Sequence, residues 1–424
     1  ASMAIKKRIA IIGAGISGLS AAYHLHDEYQ VTLFEKENYV GGHTDTHQLI
    51  VNNQTVNIDS GFIIFCREFY PNFCAMLDSI GVESQATNMS FSAYNRRSNV
   101  VYNATNPNKL FCQRGNLFSF SFYHMIFDIV RFYKTAPKVL RINDTKKTVA
   151  EYLKEKKYSK GFINDHLLPM ISALWSATPE RVTQFPIHHL VDFFSRHGLM
   201  KIRNRPQWQV VKNGSSSYVK ALREQLNVQW KTGSTVNKII RGQGIKVLTV
   251  DGDENEFDAV VMALHADSAL AILDKPSKDE QDILSAIPFE ENRVIVHTDE
   301  TIMHANTLSW ASWNVEVPND FDSNTQRVCT ANYWMNLLQG LKLESNIFTS
   351  LNNQHKIDAD KILAERVYYH PVFTAESVAA QKKKSLIDGR QATYFVGAYW
   401  GWGFHEDGAR SAAEISQLIR SQIK

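Results

Sequence analysis

Cysteine is scarce: Cys66, Cys74, Cys112 and Cys329 are the four thiols in 424 residues, with no C-x-x-C pair. That excludes a disulfide scaffold and a zinc ribbon, and points to reduced thiols in a cytoplasmic protein. No uninterrupted apolar run reaches the roughly 18 residues of a membrane-spanning helix. Charge of one sign is also lacking, since 46 basic residues against 43 acidic ones leave +3. Such a balance gives nucleic acid no electrostatic footprint. His188-His189 has no further ligands at recognisable spacing, so no metal is expected. What is present, 44% hydrophobic and 21% charged residues, suffices for two domains.

The most informative stretch is near the start. Ile9 to Ile12 are apolar or small, as a strand buried on both faces requires, and Gly13, Gly15 and Gly18 follow at once. In this G-x-G-x-x-G, Gly13 serves the tight turn, Gly15 lets backbone approach a pyrophosphate, and Gly18 lets the next helix pack on the strand. The amides around Ala14, Ile16 and Ser17 then meet the anion at a helix N-terminus. Lys6-Lys7-Arg8 before the apolar run imitates a secretory leader, but the glycines and a second strand, Gln30 to Phe34, argue against one. That strand ends in Glu35, 17 residues beyond Gly18, where a carboxylate accepts from a ribose diol. Lys36 adjoins it. An anion there disfavours a phosphorylated ribose, and the choice between FAD and NAD stays open at this point.

A glycine pair with two polar neighbours, Gly41-Gly42-His43-Thr44, lets the chain cross the same pyrophosphate. Asp59-Ser60-Gly61-Phe62 follows. At the far end a strand to Gly397 leads into a glycine-rich loop, then His405-Glu406-Asp407-Gly408 and a helix from Ala409 to Ile423. A second such loop entering a helix suits the long FAD molecule, with amides at Gly408 to Arg410 aimed at the flavin pyrimidine edge. Together these motifs resemble the FAD-containing amine oxidase and phytoene desaturase superfamily. Tyr70-Pro71-Asn72, Tyr333-Trp334-Met335-Asn336, His370-Pro371-Val372-Phe373 and Gly397-Ala398-Tyr399-Trp400 are similar to a bacterial branch associated with enzymes that modify phospholipid acyl chains. His43 departs from the superfamily's usual arginine.

The resemblance implies an α/β fold in which a Rossmann-type FAD-binding domain is assembled from residues 1–65, 208–267 and 375–424. A mixed-sheet and helical substrate domain takes 66–207 and 268–374. It also implies that Asp59, Ser60, Gly61, Phe62, Glu406, Asp407, Gly408 and Ala409 join the cofactor residues, and that Val236 meets the adenine. Gln207 to Leu222 is expected to be a strand, an Asn213-Gly214 turn and a serine-capped helix returning the chain to the flavin. Asn292 to His297, Ser309 to Val315 and Arg327 to Trp334 are β-rich, and Trp310, Trp313, Tyr333 and Trp334 either wall a substrate cavity or fill a core.

Leu117 to Tyr133 is aromatic at helical spacing and is followed by Lys134, Lys138 and Arg141. Two readings stand: a helix packed into the second domain, or a surface that dips into lipid with its basic end at the head groups. The implied chemistry is hydride transfer to flavin N5 from a hydrophobic substrate such as a fatty-acyl lipid. Amine oxidation and flavin-dependent isomerisation without net redox change are the alternatives. His405, the third residue before Gly408, stands where amine oxidases of the superfamily carry a tyrosine or tryptophan. An imidazole titrating near neutrality there could move a proton, which makes His405 the catalytic candidate.

Overall fold

The computed structural model describes residues 5–201, 204–319, 329–353 and 355–424. At its centre is a five-stranded parallel sheet in the order Val228–Lys231, Gln30–Phe34, Arg8–Ile12, Ala259–Met262, Thr393–Phe395. Ile9, Ala10 and Ile11 are fully buried, because strands flank them on both sides, helices cover one face, and the three-stranded antiparallel sheet Val236–Gly242, Gly244–Thr249, Glu254–Phe257 covers the other. The helix Ile16–Leu25 leaves the first strand and packs against the terminal helix His405–Gln422. Contact is close where they cross: a Cβ on Gly408 would lie 2.7 Å from Ser17 Oγ and 2.9 Å from Ile16 Cγ2.

A second sheet of seven strands runs Ile362–Pro371, Phe289–His297, Phe348–Leu351, Thr330–Trp334, Trp313–Val317, Phe91–Asn95, Val100–Asn103. It is antiparallel except where Trp313–Val317 runs parallel to Phe91–Asn95. Helices between residues 107 and 197 pack against it around a core containing Phe132, Phe162, Ile171 and Phe194. The run Ser309 to Val315 is only partly strand, since Thr307–Ser309 is a 3-10 turn. Arg327 and Val328 lie outside the described residues, and the strand there is Thr330–Trp334.

Two helix starts differ from expectation. The helix Ser216–Gln225 has Ser215 at its N-cap but gains no side-chain cap, because the Ser215 hydroxyl donates to Asp59 at 2.7 Å instead. The terminal helix begins at His405, four residues before Ala409. Asp407 accepts the Phe404 amide at 3.0 Å while the Asp407 amide bonds the Phe404 carbonyl, which closes the first turn early. No helix among the described residues is long and apolar enough to cross a membrane, and all four cysteines are free and buried.

Candidate functional site

A cleft of about 430 Å³ lies past the carboxyl ends of the parallel strands, lined by Ile12, Phe34, Ala263 and Gly397 among others. The connection from the first strand runs to Gln30–Phe34 on one side and that from Ala259–Met262 leads to Thr393–Phe395 on the other, so the order reverses between these two strands, the place where open α/β sheets hold ligands. The helix Ile16–Leu25 points its N-terminus into the cleft, and its N-cap, Gly15, supplies no side-chain bond to the first-turn amides. Nothing lies within 4 Å of where a Gly15 Cβ would be, so the backbone there is open to a ligand. Gly42 closes the other side: at φ +61° its Cβ would stand 2.9 Å from Gly15 Cα, and only glycine fits without strain.

Glu35 sits at one end, its Oε1 accepting from the Ala14 amide at 3.2 Å and its Oε2 from Glu37 at 3.0 Å. Lys36 and the segment Ser234-Thr235-Val236 line the same end, while Ala398, Tyr399, Gly403, Phe404 and His405 line the far one. An uncapped helix N-terminus, an open glycine, a carboxylate beside it and an elongated trough between two glycine-rich loops are the features that suit FAD.

The cleft brings together Gly13, Ala14, Gly15, Ile16, Ser17, Glu35, Lys36, Gly42, His43, Val236, Gly397 and His405. The other expected residues do not line it. Gly18 packs the helix onto the Gly13 carbonyl, and Gly41 donates its amide to Ala14 at 2.9 Å. Thr44 Oγ1 is engaged by Tyr218 at 2.5 Å. Asp59 is a buried tie, bonded to Ser215, Thr46 and Gln339, and burial pushes its carboxyl up to about 6. Ser60, Gly61 and Phe62 face a neighbouring cavity.

At the terminal helix the expected carboxylates are engaged within the protein. Glu406 caps another helix, Pro71–Ser79, accepting from the amides of Asn72 at 3.1 Å and Phe73 at 2.9 Å. Asp407 pairs with Arg410 at 2.6 Å. Gly408 and Ala409 lie within the helix, where the Gly408 amide bonds the Phe404 carbonyl, so the free amides are those of His405 and Glu406 rather than Gly408 to Arg410.

The neighbouring cavity, about 220 Å³, shares His43, His370, Pro371, Gly403, Phe404 and His405 with the cleft. Its other walls include Phe62, Ile64, Trp175, Trp313, Tyr333, Leu351 and Trp402, and no Asp, Glu, Lys or Arg among the described residues lines it. Trp310 and Trp334 instead pack edge-on against each other, 5.5 Å apart. The His43 ring lies 5.1 Å from that of His370 and 6.0 Å from that of His265. Burial lowers all three imidazoles, to about 3 for His43 and His370 and about 4 for His265.

His405 stacks on Phe62 with ring centres 3.6 Å apart, and its Nε2 is bonded to the Tyr218 hydroxyl at 2.8 Å and Thr44 at 3.1 Å. Burial holds it well below the usual histidine range, so it does not titrate near neutrality as expected. Sequence reasoning missed His265, Phe289 and Tyr369 in the cleft. His265 lies three residues past the end of the strand Ala259–Met262, which was the one available signal.

The fold is shared with solved structures across essentially the whole chain. A putative protoporphyrinogen oxidase from Exiguobacterium sp. 255-15 is 15% identical with a TM-score of 0.71, covering 99% of this chain and 100% of that one. A putrescine oxidase bound to putrescine is 12% identical at 0.69, covering 98% and 99%. A CLA-producing fatty acid isomerase from P. acnes is 16% identical at 0.67, covering 100% of both. No curated protein matches the sequence. The family description "flavin containing amine oxidoreductase" matches residues 16–419, from the helix on the open Gly15 turn to the last turns of the terminal helix. With that span and a cleft fitted to the cofactor, the chain belongs to the flavin-containing amine oxidoreductases and is an FAD-dependent oxidoreductase.

Proposed function

We propose that the protein oxidises or desaturates an uncharged hydrophobic chain of fatty-acyl type. The observation that carries this reading is the cavity beside the cleft, walled by aromatic and aliphatic side chains and free of charged ones among the described residues. An ammonium group would lose its water there and find no carboxylate, whereas a hydrocarbon chain gains from leaving water. A carboxylate or lipid head group would meet the same cost, so it stays outside the cavity. FAD bound in the cleft supplies the hydride acceptor.

The chain's own residues then have three tasks. Trp313, Tyr333 and Leu351 hold the substrate and exclude water. The imidazoles of His43 and His370 stay neutral. Asn352 donates to Asn292 Oδ1 at 2.8 Å, and Asn292 Nδ2 donates to His370 Nδ1 at 2.6 Å, leaving the His370 hydrogen on Nε2. Making a carbon–carbon double bond removes a proton as well as a hydride, and the proton needs an exit. Ser60 and Tyr368 line the cavity with hydroxyls 2.7 Å apart. Tyr368 donates to Asp45 at 3.0 Å, and Asp45 pairs with the partly exposed Arg366 at 2.7 Å. That row leads a proton from the cavity to the surface.

Isomerisation without net redox change is the second reading, favoured by the same uncharged cavity and by the fold shared with the fatty acid isomerase. Anaerobic single turnover with fatty acids and acyl lipids separates the two. Bleaching of the flavin matched by unsaturated product supports oxidation, and isomerised product without bleaching supports the second. Bleaching by putrescine or simple amines alone overturns both.

A further inference from the structure

The helix Phe120–Thr135 has two faces. One carries Phe122, Met125 and Phe132 into the core that includes Trp175, Trp313 and Trp402, three walls of the apolar cavity. The other presents Phe120, Tyr123, Phe127 and Val130 at spacings of three, four and three residues, one stripe of a helix. Phe120 is 89% exposed and Phe127 63%, and Phe118 in the preceding turn is 92% exposed. Tyr123 donates to the Leu117 carbonyl at 3.0 Å, which fastens that turn to the helix. Large aromatics this exposed in one contiguous patch mark a surface that is covered in use.

Charge identifies the cover. From Pro107 to Asn143 the only carboxylate is Asp128, and it is fully buried, bonded to Arg131 and to the Ser159 amide. Lys134 continues the aromatic stripe by one helical step, and Lys138 and Arg141 follow in the next turn. All three are exposed, with no carboxylate partner among the described residues. Aromatics on one stripe and unpaired cations at its end fit apolar insertion below a layer of anionic head groups. A second copy fits poorly, because a twofold contact pairs this surface with itself, and it presents no exposed carboxylate to its own cations.

We propose that this surface docks the protein on an anionic lipid bilayer without spanning it. The docking does not rest on the identity of the substrate, so it stands or falls separately from the fatty-acyl reading. The test is flotation of the FAD-loaded protein with vesicles of phosphatidylglycerol and phosphatidylcholine, against phosphatidylcholine alone. The protein is expected to float with the anionic vesicles at low salt and to be released at high salt. Lys134→Glu with Lys138→Glu lowers partitioning about tenfold or more. Phe118→Ser, Phe120→Ser and Phe127→Ser together lower it about a hundredfold. Both variants are expected to keep the parent's flavin absorbance and melting temperature, and should the triple variant misfold, the charge reversals and the salt dependence decide. No flotation at low salt, flotation unchanged by the lysine reversals, or light scattering that shows a dimer split by the substitutions would overturn the proposal.

Discussion

The cleft and the cavity meet at His43, His370 and His405 but are built by different means. The cleft is largely backbone: an uncapped helix N-terminus, Gly15 with open space before it, and Gly42 pressed against Gly15. The cavity is made of side chains drawn from distant parts of the chain, with Phe62, Trp175, Trp313 and Trp402 on one wall or another. A backbone site depends on glycine geometry and tolerates changes nearby. A side-chain site depends on burial, so it is sensitive to anything that hydrates or resizes it.

The largest expected effect comes from acid. His43, His370 and His265 have folded-state values of about 3, about 3 and about 4, against 6.5 when unfolded. A base whose folded value is depressed leaves stability intact above 6.5, and stability is lost as pH falls from there towards 3 to 4, because only the unfolded chain takes up the proton. At pH 5 the loss is about 2 kcal/mol for each group. Asp59 acts the other way: held at about 6, it favours the folded state as pH falls from 6 towards 4. His166, His189, His197 and His297, lowered by burial to about 3 or 4, add to the loss, and the raised carboxyls of Asp165, Glu406 and Asp407 join Asp59 in offsetting part of it. The imidazoles outnumber the carboxyls, so the net effect is loss. Thermal melts at pH 7.5 and 5.0 check this, and equal melting temperatures would mean that water reaches the imidazoles.

Next in size is Gly15→Val, which breaks the cleft alone. Gly15 has φ −77°, which any residue adopts, and its Cβ meets nothing, so the apoprotein melts near the parent temperature. The added side chain occupies the space before the helix N-terminus, and FAD affinity falls about a thousandfold, about 4 kcal/mol. Gly13→Val is the contrast, since φ +107° and the Ala263 carbonyl leave no room, and folding itself fails. Titration with FAD and a melt of each apoprotein distinguish the two.

Trp313→Ala addresses the cavity. Trp313 is 7% exposed and packs on Phe91 at 5.0 Å, so truncation enlarges the cavity and costs about 3 kcal/mol of stability. FAD affinity is unchanged, while preference among substrates of different chain length or branching shifts about tenfold or more in kcat/KM. A loss of FAD binding would show that the two regions are not separable.

The same division explains what could be read from the sequence. Gly13, Gly15, Gly18 and Glu35 are legible because a turn, a close approach, a helix contact and a ribose acceptor each demand one residue type at one distance along the chain. Their strand partners, Ala259–Met262 and Thr393–Phe395, were legible as apolar runs between turns. At the other end, Glu406 and Asp407 counted as cofactor residues through the superfamily resemblance alone, with no spacing of their own that demands a carboxylate. Only the packing reveals that Glu406 serves the amides of Asn72 and Phe73. Ser215 likewise had the right type for a cap and was diverted by Asp59, more than 150 residues away in sequence. Cavity walls were illegible for a simpler reason: Trp310 and Trp313 differ by three positions, and without register nothing tells which faces inward.

His405 belongs to both regions, which makes it the finest probe of the division and the smallest expected effect. Its Nε2 is committed to Tyr218 and Thr44, and its face to Phe62. A ring so held orients the Phe404–His405 turn between cleft and cavity and has no free ring edge at Nε2 for a substrate proton. His405→Phe keeps the stack and loses the hydrogen bond, but Tyr218 retains Thr44 as a partner, so the cost is about 1 kcal/mol of stability. Flavin reduction by substrate should then slow less than about tenfold, with an unaltered pH profile, as for a positioning residue whose imidazole is neutral throughout. A general acid or base would instead lose about a hundredfold or more and its pH dependence with it. Stopped-flow reduction of parent and variant between pH 6 and 9 reads both quantities, and the larger loss would move His405 from the scaffold into the chemistry.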